Sequence, residues 1–254
     1  MINRHIMTHS NIGRHSFMTL ILFERLLLSQ ASMIITHFAG LVGRLYSLVI
    51  GGYMNFEIVQ EESNYRLNEV SVFCKVKEKF GGLSNMSNAF PVSVNGYDIA
   101  NTEALYQACR FPNHSEIQRE IISLRSPMGA KMKSRRYNLN TRADWDAHRV
   151  EIMWWCLRVK LAQNGHRLGE ILESTGDLPI VERSHKDRFW GAVLNKEDKS
   201  MLSGMNVLGQ LLMQLRAEYN SKKENINVLS YVQPLEMENF LLIGSPILAI
   251  GTEL

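Results

Sequence analysis

The chain has 254 residues, of which 45% are hydrophobic and 21% are charged, and its formal net charge is +3. This composition is ordinary for a globular protein of one or two domains with a sizeable core. The excess positive charge lies before residue 54, where four arginines are opposed only by Glu24, so the remainder of the chain sums to zero. A neutral remainder excludes a broad basic footprint for nucleic acid, although it is compatible with a local basic groove.

The three cysteines, Cys74, Cys109 and Cys156, are widely spaced and form no CxxC pair. Histidines do not cluster near them, so the spacing does not indicate a zinc site. An odd number of isolated thiols is typical of reduced cysteines in an intracellular protein. The sequence also lacks a Rossmann glycine fingerprint, a P-loop and a nucleophile elbow. We therefore predict neither a metal ion nor a cofactor.

The first 53 residues differ from the rest, because they contain no lysine or aspartate and hold four of the eight histidines. Their apolar stretch, residues 17–50, is interrupted by charged residues, which leaves no apolar run of about 18 residues for a membrane span. It is also too long and too interrupted for a signal peptide. We interpret residues 1–53 as an extension outside the domain, with Met54 as the natural start; the alternative is a peripheral anchor or a transit-like segment. We then expect a cytoplasmic domain over residues 54–220 with no membrane partner, and a tail over 221–254 without an assigned role.

The first predicted strand spans Val70–Val76, and its alternation places Val72, Cys74 and Val76 on one face. The next segment, Phe80–Phe90, is too rich in Gly, Ser and Asn for regular structure. Such a loop either offers backbone N–H groups and short side chains to a ligand or is simply a turn.

A hairpin and a helix are predicted next. Asn95-Gly96 favours a type I′ turn because both residues tolerate positive φ, so Pro91–Val94 should pair with Tyr97–Ala100. A helix should begin directly afterwards, because Asn101 or Thr102 can cap it by accepting a hydrogen bond from an unpaired backbone N–H.

This helix has an apolar side and a polar side. Glu103, Gln107 and Arg110 share the polar side because they lie at positions i, i+4 and i+7. One interpretation is a capped surface helix whose polar side is solvated. The other is a carboxylate, an amide and a guanidinium directed into a pocket.

Further helices follow in series. A capping box of Ser115 and Gln118 is predicted to start a helix over Ile117–Leu124, and Pro127 in a first turn should start another. The second of these carries four basic residues, most of which we expect on a solvated face. The longest predicted helix spans Ala143–Gln163, and apolar stripes on both of its sides predict a central, buried helix.

The last predicted elements are a short helix over Leu168–Ser174, a buried strand over Leu178–Glu182 and a helix that Asn206 precedes. Gly204 and Gly209 would allow a ligand to approach this last helix closely, and a helix N-terminus favours anions such as a pyrophosphate. A capped amphipathic helix without a ligand is the alternative.

Six segments in this order resemble the NADAR family, which includes the YbiA-like proteins. They read LSNMSNAFPV, NTEALYQACRF, SPMGAK, DWDAHRVEIMWWCLRVK, TGDLPIVERSHKDRFWG and GMNVLGQLLMQLR, and together they cover roughly Phe80–Arg216. The resemblance implies an α+β fold, a helix-rich single domain with a small β-sheet and hairpin.

The resemblance also implies an N-glycoside hydrolase that cleaves a ribose–nitrogen bond. Family activities include cleavage of phosphoribosylamine-type intermediates of riboflavin synthesis and removal of ADP-ribose from modified guanine. The implied partner is therefore a nucleotide-like small molecule or an ADP-ribosylated nucleic acid. No pattern in the sequence specifies an oligomeric state.

Site residues follow from the resemblance position by position. A ribose–nitrogen bond breaks through an oxocarbenium-like state, which needs a carboxylate to stabilise positive charge or activate water. The implied catalytic residues are Glu103 and its partner Asp187. The implied substrate-binding residues are Ser84, Asn85, Gln107, Lys131, Trp190, Gly191 and Asn206. Trp190 either stacks on the base or packs in the core, whereas we expect core packing for Trp145, Trp154 and Trp155.

Two positions depart from the family pattern. Ala104 stands where many relatives have histidine, and Ala192-Val193 with a lysine-rich insert replaces an acidic, glycine-rich run. These departures make a second hypothesis reasonable, in which the chain is a non-catalytic module that binds ADP-ribose or a related nucleotide.

Overall fold

A computed structural model describes residues 58–224 and 229–251. The predictions for residues 1–53 and for a start at Met54 lie outside the described residues. Nine strands are present in the described ranges: β1 Ser63–Arg66, β2 Ser71–Phe73, β3 Val92–Val94, β4 Tyr97–Ile99, β5 Ile180–Ser184, β6 Ala192–Leu194, β7 Met201–Gly204, β8 Leu241–Leu242 and β9 Ser245–Pro246. Five α-helices occur in the same ranges: α1 Thr102–Ala108, α2 Ser115–Ile122, α3 Pro127–Arg136, α4 Trp145–Ser174 and α5 Val207–Lys222. The chain therefore has the α+β class that the sequence predicts.

The main sheet has five strands in the order β1-β7-β6-β5-β2. The pairs β1–β7 and β7–β6 are antiparallel, whereas β6–β5 and β5–β2 are parallel. Val181, Ala192 and Leu202 are fully buried on this sheet, and Tyr65 and Val72 are among the residues that pack against them. The sheet positions the end of β5 beside the helices.

The hairpin prediction is confirmed. β3 pairs with β4 in antiparallel register, and the turn residues Asn95 and Gly96 have φ values of 51° and 78°. Asn101 caps α1, because its side-chain oxygen accepts a hydrogen bond from the backbone N–H of Ala104. The Asn-Gly turn and the cap were both visible in the sequence because each depends on a local backbone preference.

All seven residues of α1 are buried, including Glu103 and Gln107. α1 is in contact with α2, α3 and α4. The solvated-surface interpretation of its polar side is therefore wrong, and the side chains of that face lie inside the protein.

The long helix α4 is the central element of the helical layer. It spans 30 residues, and only Asn164 has non-helical backbone angles (φ −131°, ψ 28°). This break separates the two helices predicted over Ala143–Gln163 and Leu168–Ser174. The predicted burial on both sides is confirmed, since Trp154, Trp155 and Leu157 are all buried.

Lys160 on α4 is fully buried. Its Nζ donates hydrogen bonds to the backbone oxygens of Gly82, Leu83 and Ser84, at 2.7, 3.3 and 3.1 Å. The irregular loop predicted over Phe80–Phe90 is therefore attached to the middle of the long helix.

Two local predictions were wrong. The strand predicted over Val70–Val76 is reduced to β2, and its buried residues are Ser71 and Phe73 rather than the valine face. The capping box does not form, because His114 is the N-cap of α2 without a side-chain bond. The strand ends after Phe73 because the backbone N–H groups of Cys74 and Lys75 donate to Oε2 of Glu78. Gln118 bonds to the distant residues Leu241 and Ile243 instead of capping α2.

Residues 229–251 pack against the helical layer and contribute eight buried apolar side chains. They are Leu229, Val232, Leu235, Phe240, Leu242, Ile243, Ile247 and Ile250. Among the residues that the structure describes, no helix is long and apolar enough to cross a membrane.

Replacement of Leu157 by Ala tests the central position of α4. Because Leu157 is fully buried, we expect the free energy of unfolding to fall by about 2–5 kcal/mol, measured by chemical denaturation. Leu139→Ala is the matched control, because the Leu139 side chain is fully exposed and its loss should cost less than about 0.5 kcal/mol. Equal losses in the two variants would contradict the assigned burial.

Candidate active site

A cavity of about 250 Å³ opens between α1, α3, α4, the end of β5 and the loops around Ser84 and Trp190. Seven of the nine site residues predicted from sequence line it: Ser84, Asn85, Glu103, Gln107, Lys131, Asp187 and Trp190. They come from four separate segments of the chain, so the fold brings them together from distant positions.

Glu103 lies in the first turn of α1 and its side chain is 8% exposed. Its Oε1 accepts a hydrogen bond from Nε2 of Gln107 at 2.9 Å, and Nζ of Lys131 is 3.9 Å away. The backbone N–H of Glu103 donates to the backbone oxygen of Asn85 at 3.0 Å. The carboxylate is therefore held by one amide donor and one nearby positive charge.

The amide of Gln107 has a defined orientation. Its Oε1 accepts hydrogen bonds from Oγ of Ser134 at 2.6 Å and from Arg110 at 3.4 Å. The amide nitrogen must then face Glu103, because only the nitrogen can donate to a carboxylate. Arg110 is fixed in turn by Asn138 and Thr141, whose side-chain oxygens lie 3.0 and 3.1 Å from its guanidinium.

Glu182, on β5, is a third carboxylate in the cavity beside Glu103 and Asp187, and we did not predict it as a site residue. Burial, together with the negative charges of Glu103 and Asp187, raises the pKa of Glu182 to about 7, although Lys131 acts in the opposite direction. A charged residue at the end of a strand predicted to be buried was the available sequence signal. Glu182 can therefore carry a proton near neutral pH.

Asp187 shapes the turn that carries Trp190. Its Oδ1 accepts hydrogen bonds from the backbone N–H groups of Phe189 and Trp190 at 3.0 and 2.9 Å. Oγ of Ser184 accepts a bond from the backbone N–H of Asp187 at 3.0 Å. One oxygen of this carboxylate is thus already committed to holding the tryptophan turn.

Aromatic rings form one wall of the cavity. The Tyr106 ring lies 5.1 Å from that of Trp145 and 5.7 Å from that of Trp190, measured between centroids. Trp145 therefore lines the cavity, and its predicted core role is wrong. Trp154 and Trp155 are buried as predicted.

Four basic side chains, Lys131, Arg110, Arg135 and Arg149, line the same cavity. The guanidinium carbon of Arg149 lies 3.9 Å from the centroid of the Phe189 ring, and that of Arg110 lies 5.2 Å from the ring centroid of Trp145. Such a concentration of positive charge favours an anionic ligand. Arg110 lines the cavity, as the pocket interpretation of α1 expected. The lining residues that we had not predicted are Met86, Tyr106, Arg135, Trp145, Arg149, Met153, Glu182, Ser184 and Leu208.

Gly191 and Asn206 are not among the residues that line the cavity. A Cβ atom on Gly191 would lie 2.5 Å from the backbone oxygen of Glu182, so glycine permits close approach of a strand. Both polar side-chain atoms of Asn206 are engaged, since Nδ2 donates to Ile180 O at 2.8 Å and Oδ1 accepts from Glu182 N at 3.0 Å. Asn206 therefore holds β5 in place behind the cavity.

The N-terminus of α5 is already paired within the protein. The backbone N–H groups of Met205, Asn206, Val207 and Leu208 donate to the carbonyl oxygens of residues 188, 191, 189 and 190, respectively. A Cβ atom on Gly209 would lie 2.1 Å from the backbone oxygen of Ile180. The glycines thus admit the polypeptide itself, and the N–H groups at this helix end are not available to the anion that we expected there.

No group of three or more His, Cys, Asp or Glu residues that could hold a metal ion occurs within residues 58–224 and 229–251. The cavity thus offers carboxylates, amides, aromatic rings and basic side chains for chemistry on an organic ligand.

Residues 72–220 match the NADAR domain. The chain is 30% identical over 151 residues to the N-glycosidase YbiA of Escherichia coli, which covers 59% of this chain and 89% of YbiA. It is 28% identical over 207 residues to a riboflavin biosynthesis protein of Vibrio vulnificus, covering 79% of this chain but only 53% of that protein. A chloroplastic riboflavin biosynthesis protein of Zea mays, PYRR, is 32% identical over 174 residues, and the match spans 26% of its length.

The solved NMR structure of E. coli YbiA has a similar fold. It superposes with a TM-score of 0.52 at 27% sequence identity and covers 63% of this chain and 90% of that one. With the family match extending over more than half of its length, this chain belongs to the NADAR domain family.

Proposed function

We propose that the protein is an N-glycosidase that hydrolyses the bond between ribose C1′ and a nitrogen atom. The observation that carries this proposal is the presence in one cavity of two carboxyl groups, Glu103 and Glu182, in different surroundings. Glu103 lies beside Lys131 and receives an amide hydrogen bond, whereas burial raises the pKa of Glu182 to about 7. Two carboxyl groups of this kind can divide the acid and base roles of glycoside hydrolysis. The names of the YbiA relatives agree with this activity.

The reaction can be written with these two groups. The C1′–N bond breaks, the nitrogen keeps the electron pair, and protonated Glu182 supplies the proton that the departing nitrogen needs. Glu103 stabilises the positive charge that develops on the ribose and accepts a proton from the water that forms the new C1′–O bond. The products are a free ribosyl hydroxyl and the released amine or base.

We assign the predicted partner Asp187 an orienting role. One of its oxygens holds the backbone N–H groups of Phe189 and Trp190, so the carboxylate fixes the tryptophan turn against the cavity. Trp190 and Trp145 would then contact the departing base by stacking or edge contacts.

The remaining lining residues suit a phosphorylated ribosyl group. Lys131 and Arg149 would bind phosphate oxygens through charge-assisted hydrogen bonds. Arg110, whose terminal N–H groups donate to protein oxygens, would add positive charge nearby. Oδ1 of Asn85 is buried without a hydrogen-bond partner, so it offers an acceptor for a sugar hydroxyl, with Ser84 beside it.

Two substrate classes fit these groups, a phosphoribosylamine-type intermediate of riboflavin synthesis and an ADP-ribosylated guanine. The names of the Vibrio and maize relatives associate them with riboflavin synthesis, which favours the first class. Incubation of the protein with each substrate, followed by chromatographic detection of the released amine or guanine, tests the proposal. Release from neither substrate, with binding of ADP-ribose in calorimetry, would favour a non-catalytic nucleotide-binding module instead.

Residues at the two positions that depart from the family pattern lie behind the cavity lining in this chain. Ala104 and Ala192 are both fully buried, and neither lines the cavity.

Glu103→Gln tests the catalytic carboxylate. The substitution keeps the shape of the side chain but removes its negative charge, so we expect kcat to fall at least about 10²-fold while ligand affinity changes little. Glu116→Gln is the matched control, because Glu116 also lies in the first turn of a helix and its side chain is 72% exposed. Turnover by Glu103→Gln at the wild-type rate would rule out this assignment.

Glu182→Gln tests the proton donor. Because the pKa of Glu182 is about 7, the wild-type rate should decrease as pH rises through this value and the donor loses its proton. The variant should be slow at every pH and should lack this decrease. A pH–rate profile that keeps the same alkaline limb in the variant would assign the proton to another group.

The same substitution changes the pH dependence of stability. The pKa of Glu182 is raised from 4.5 to about 7 on folding, so its contribution to stability is fully present below about 4.5 and is lost as pH rises through about 7. Glutamine stays neutral, so the free energy of unfolding of Glu182→Gln should fall less than that of the wild type between pH 5 and 8. Chemical denaturation at a series of pH values measures this difference, and parallel curves would contradict it.

A further inference from the structure

Residues 229–251, which we call the C-terminal strap, lie beyond the part of the chain that matches the NADAR domain. The strap contributes eight buried apolar residues, and Val232 pairs with Ile250 across it. Two polar side chains connect it to the end of α1, the helix that carries Glu103.

Gln118 makes the first connection and is fully buried. Its Nε2 donates hydrogen bonds to Ala108 O at 3.1 Å and to Leu241 O at 2.9 Å, and its Oε1 accepts one from Ile243 N at 2.6 Å. A single side chain thus joins the last residue of α1 to two backbone groups of the strap.

Arg142 makes the second connection. Its backbone N–H donates to Arg110 O at 2.8 Å, and its guanidinium donates to Glu238 O in the strap at 2.9 Å. The same guanidinium is held by the carboxylate of Asp144, whose Oδ2 lies 2.9 Å away. Arg142 therefore connects the strap to Arg110, which lies two residues beyond the end of α1.

Both connections end on carbonyl groups at the C-terminal end of α1, those of Ala108 and Arg110. Ala108 O accepts a second hydrogen bond, from the backbone N–H of Phe111 at 3.0 Å. Gln107 and Arg110 enter the cavity at this same end of α1. We propose that the C-terminal strap is a positioning element of the active site and that Gln118 is the positioning residue through which it acts. The part of this inference that concerns kcat rests on the proposed function, whereas the part that concerns the order of α1 does not.

The strap also has contacts that do not involve α1. Asn95, in the hairpin turn, donates from Nδ2 to Pro246 O at 3.0 Å and accepts at Oδ1 from Leu248 N at 3.0 Å. Removal of these two bonds would loosen the strap at a different place. Because Asn95 has a φ of 51°, glycine can replace it without backbone strain.

The experiment compares Gln118→Met with Asn95→Gly in the full chain. Each substitution removes two side-chain hydrogen bonds to the strap, but only Gln118→Met also removes a side-chain bond to Ala108 O, which keeps the bond from Phe111 N. We measure amide hydrogen exchange of residues 102–111 by mass spectrometry, and kcat and KM on the substrate that the protein turns over. We expect Gln118→Met to speed exchange of the last turn of α1 at least about tenfold and to lower kcat roughly ten- to a hundredfold, and Asn95→Gly to do neither.

A second variant covers the case in which Gln118→Met does not fold. Arg142→Lys keeps a positive charge beside Asp144, but an ammonium group lacks the planar set of N–H donors with which the guanidinium also reaches Glu238 O. This variant should therefore speed amide exchange of the same turn of α1. Unchanged exchange in both variants, or the same change in Asn95→Gly, would overturn the proposal. Faster exchange in a protein that hydrolyses neither substrate would refute the proposed function and leave the positioning role supported.

Discussion

The active site depends on one buried ammonium group. Nζ of Lys160 donates to three successive backbone oxygens, those of residues 82–84, and so holds an irregular loop against α4. The cost of burying a charge is visible in its pKa, which burial lowers to about 7. The next residue, Asn85, accepts the backbone N–H of Glu103, so the connection continues from α4 through the loop to the first turn of α1. Loop and helix are therefore set in place by main-chain contacts before any ligand binds.

Elements whose cause is local could be predicted from the sequence. The Asn95-Gly96 turn, the Asn101 cap and the burial of α4 depend on backbone preferences or on a long apolar pattern. The strands β6 and β7 could not be predicted, because strands of three and four residues carry little periodic signal and are defined by pairing across the sheet. Gln118 shows the same limit, since its partners Leu241 and Ile243 are more than 120 residues away.

The candidate site shows the same difference between features with a local cause and features set by distant contacts. Helical spacing placed Glu103, Gln107 and Arg110 on one face, but whether that face is solvated depends on α3 and α4, which no local pattern reveals. Family resemblance supplied seven residues that line the cavity. It did not supply Glu182, whose raised pKa arises from burial and from carboxylates on other segments. Asn206 and Gly191, which the resemblance also supplied, lie outside the cavity lining. In a sequence, a residue needed for close packing of strands resembles one that admits a ligand.

The length of α1 has a consequence for how the site responds to ligands. Seven residues are too few for a helix to be stable by itself in water, so the helix that carries Glu103 exists only while its neighbours are packed around it. Loss of the packing around α1 should therefore disrupt the helix and the site that it carries together. A ligand that fills the cavity then binds only the native state. By mass action, its binding should raise the free energy of unfolding and the melting temperature of the whole domain.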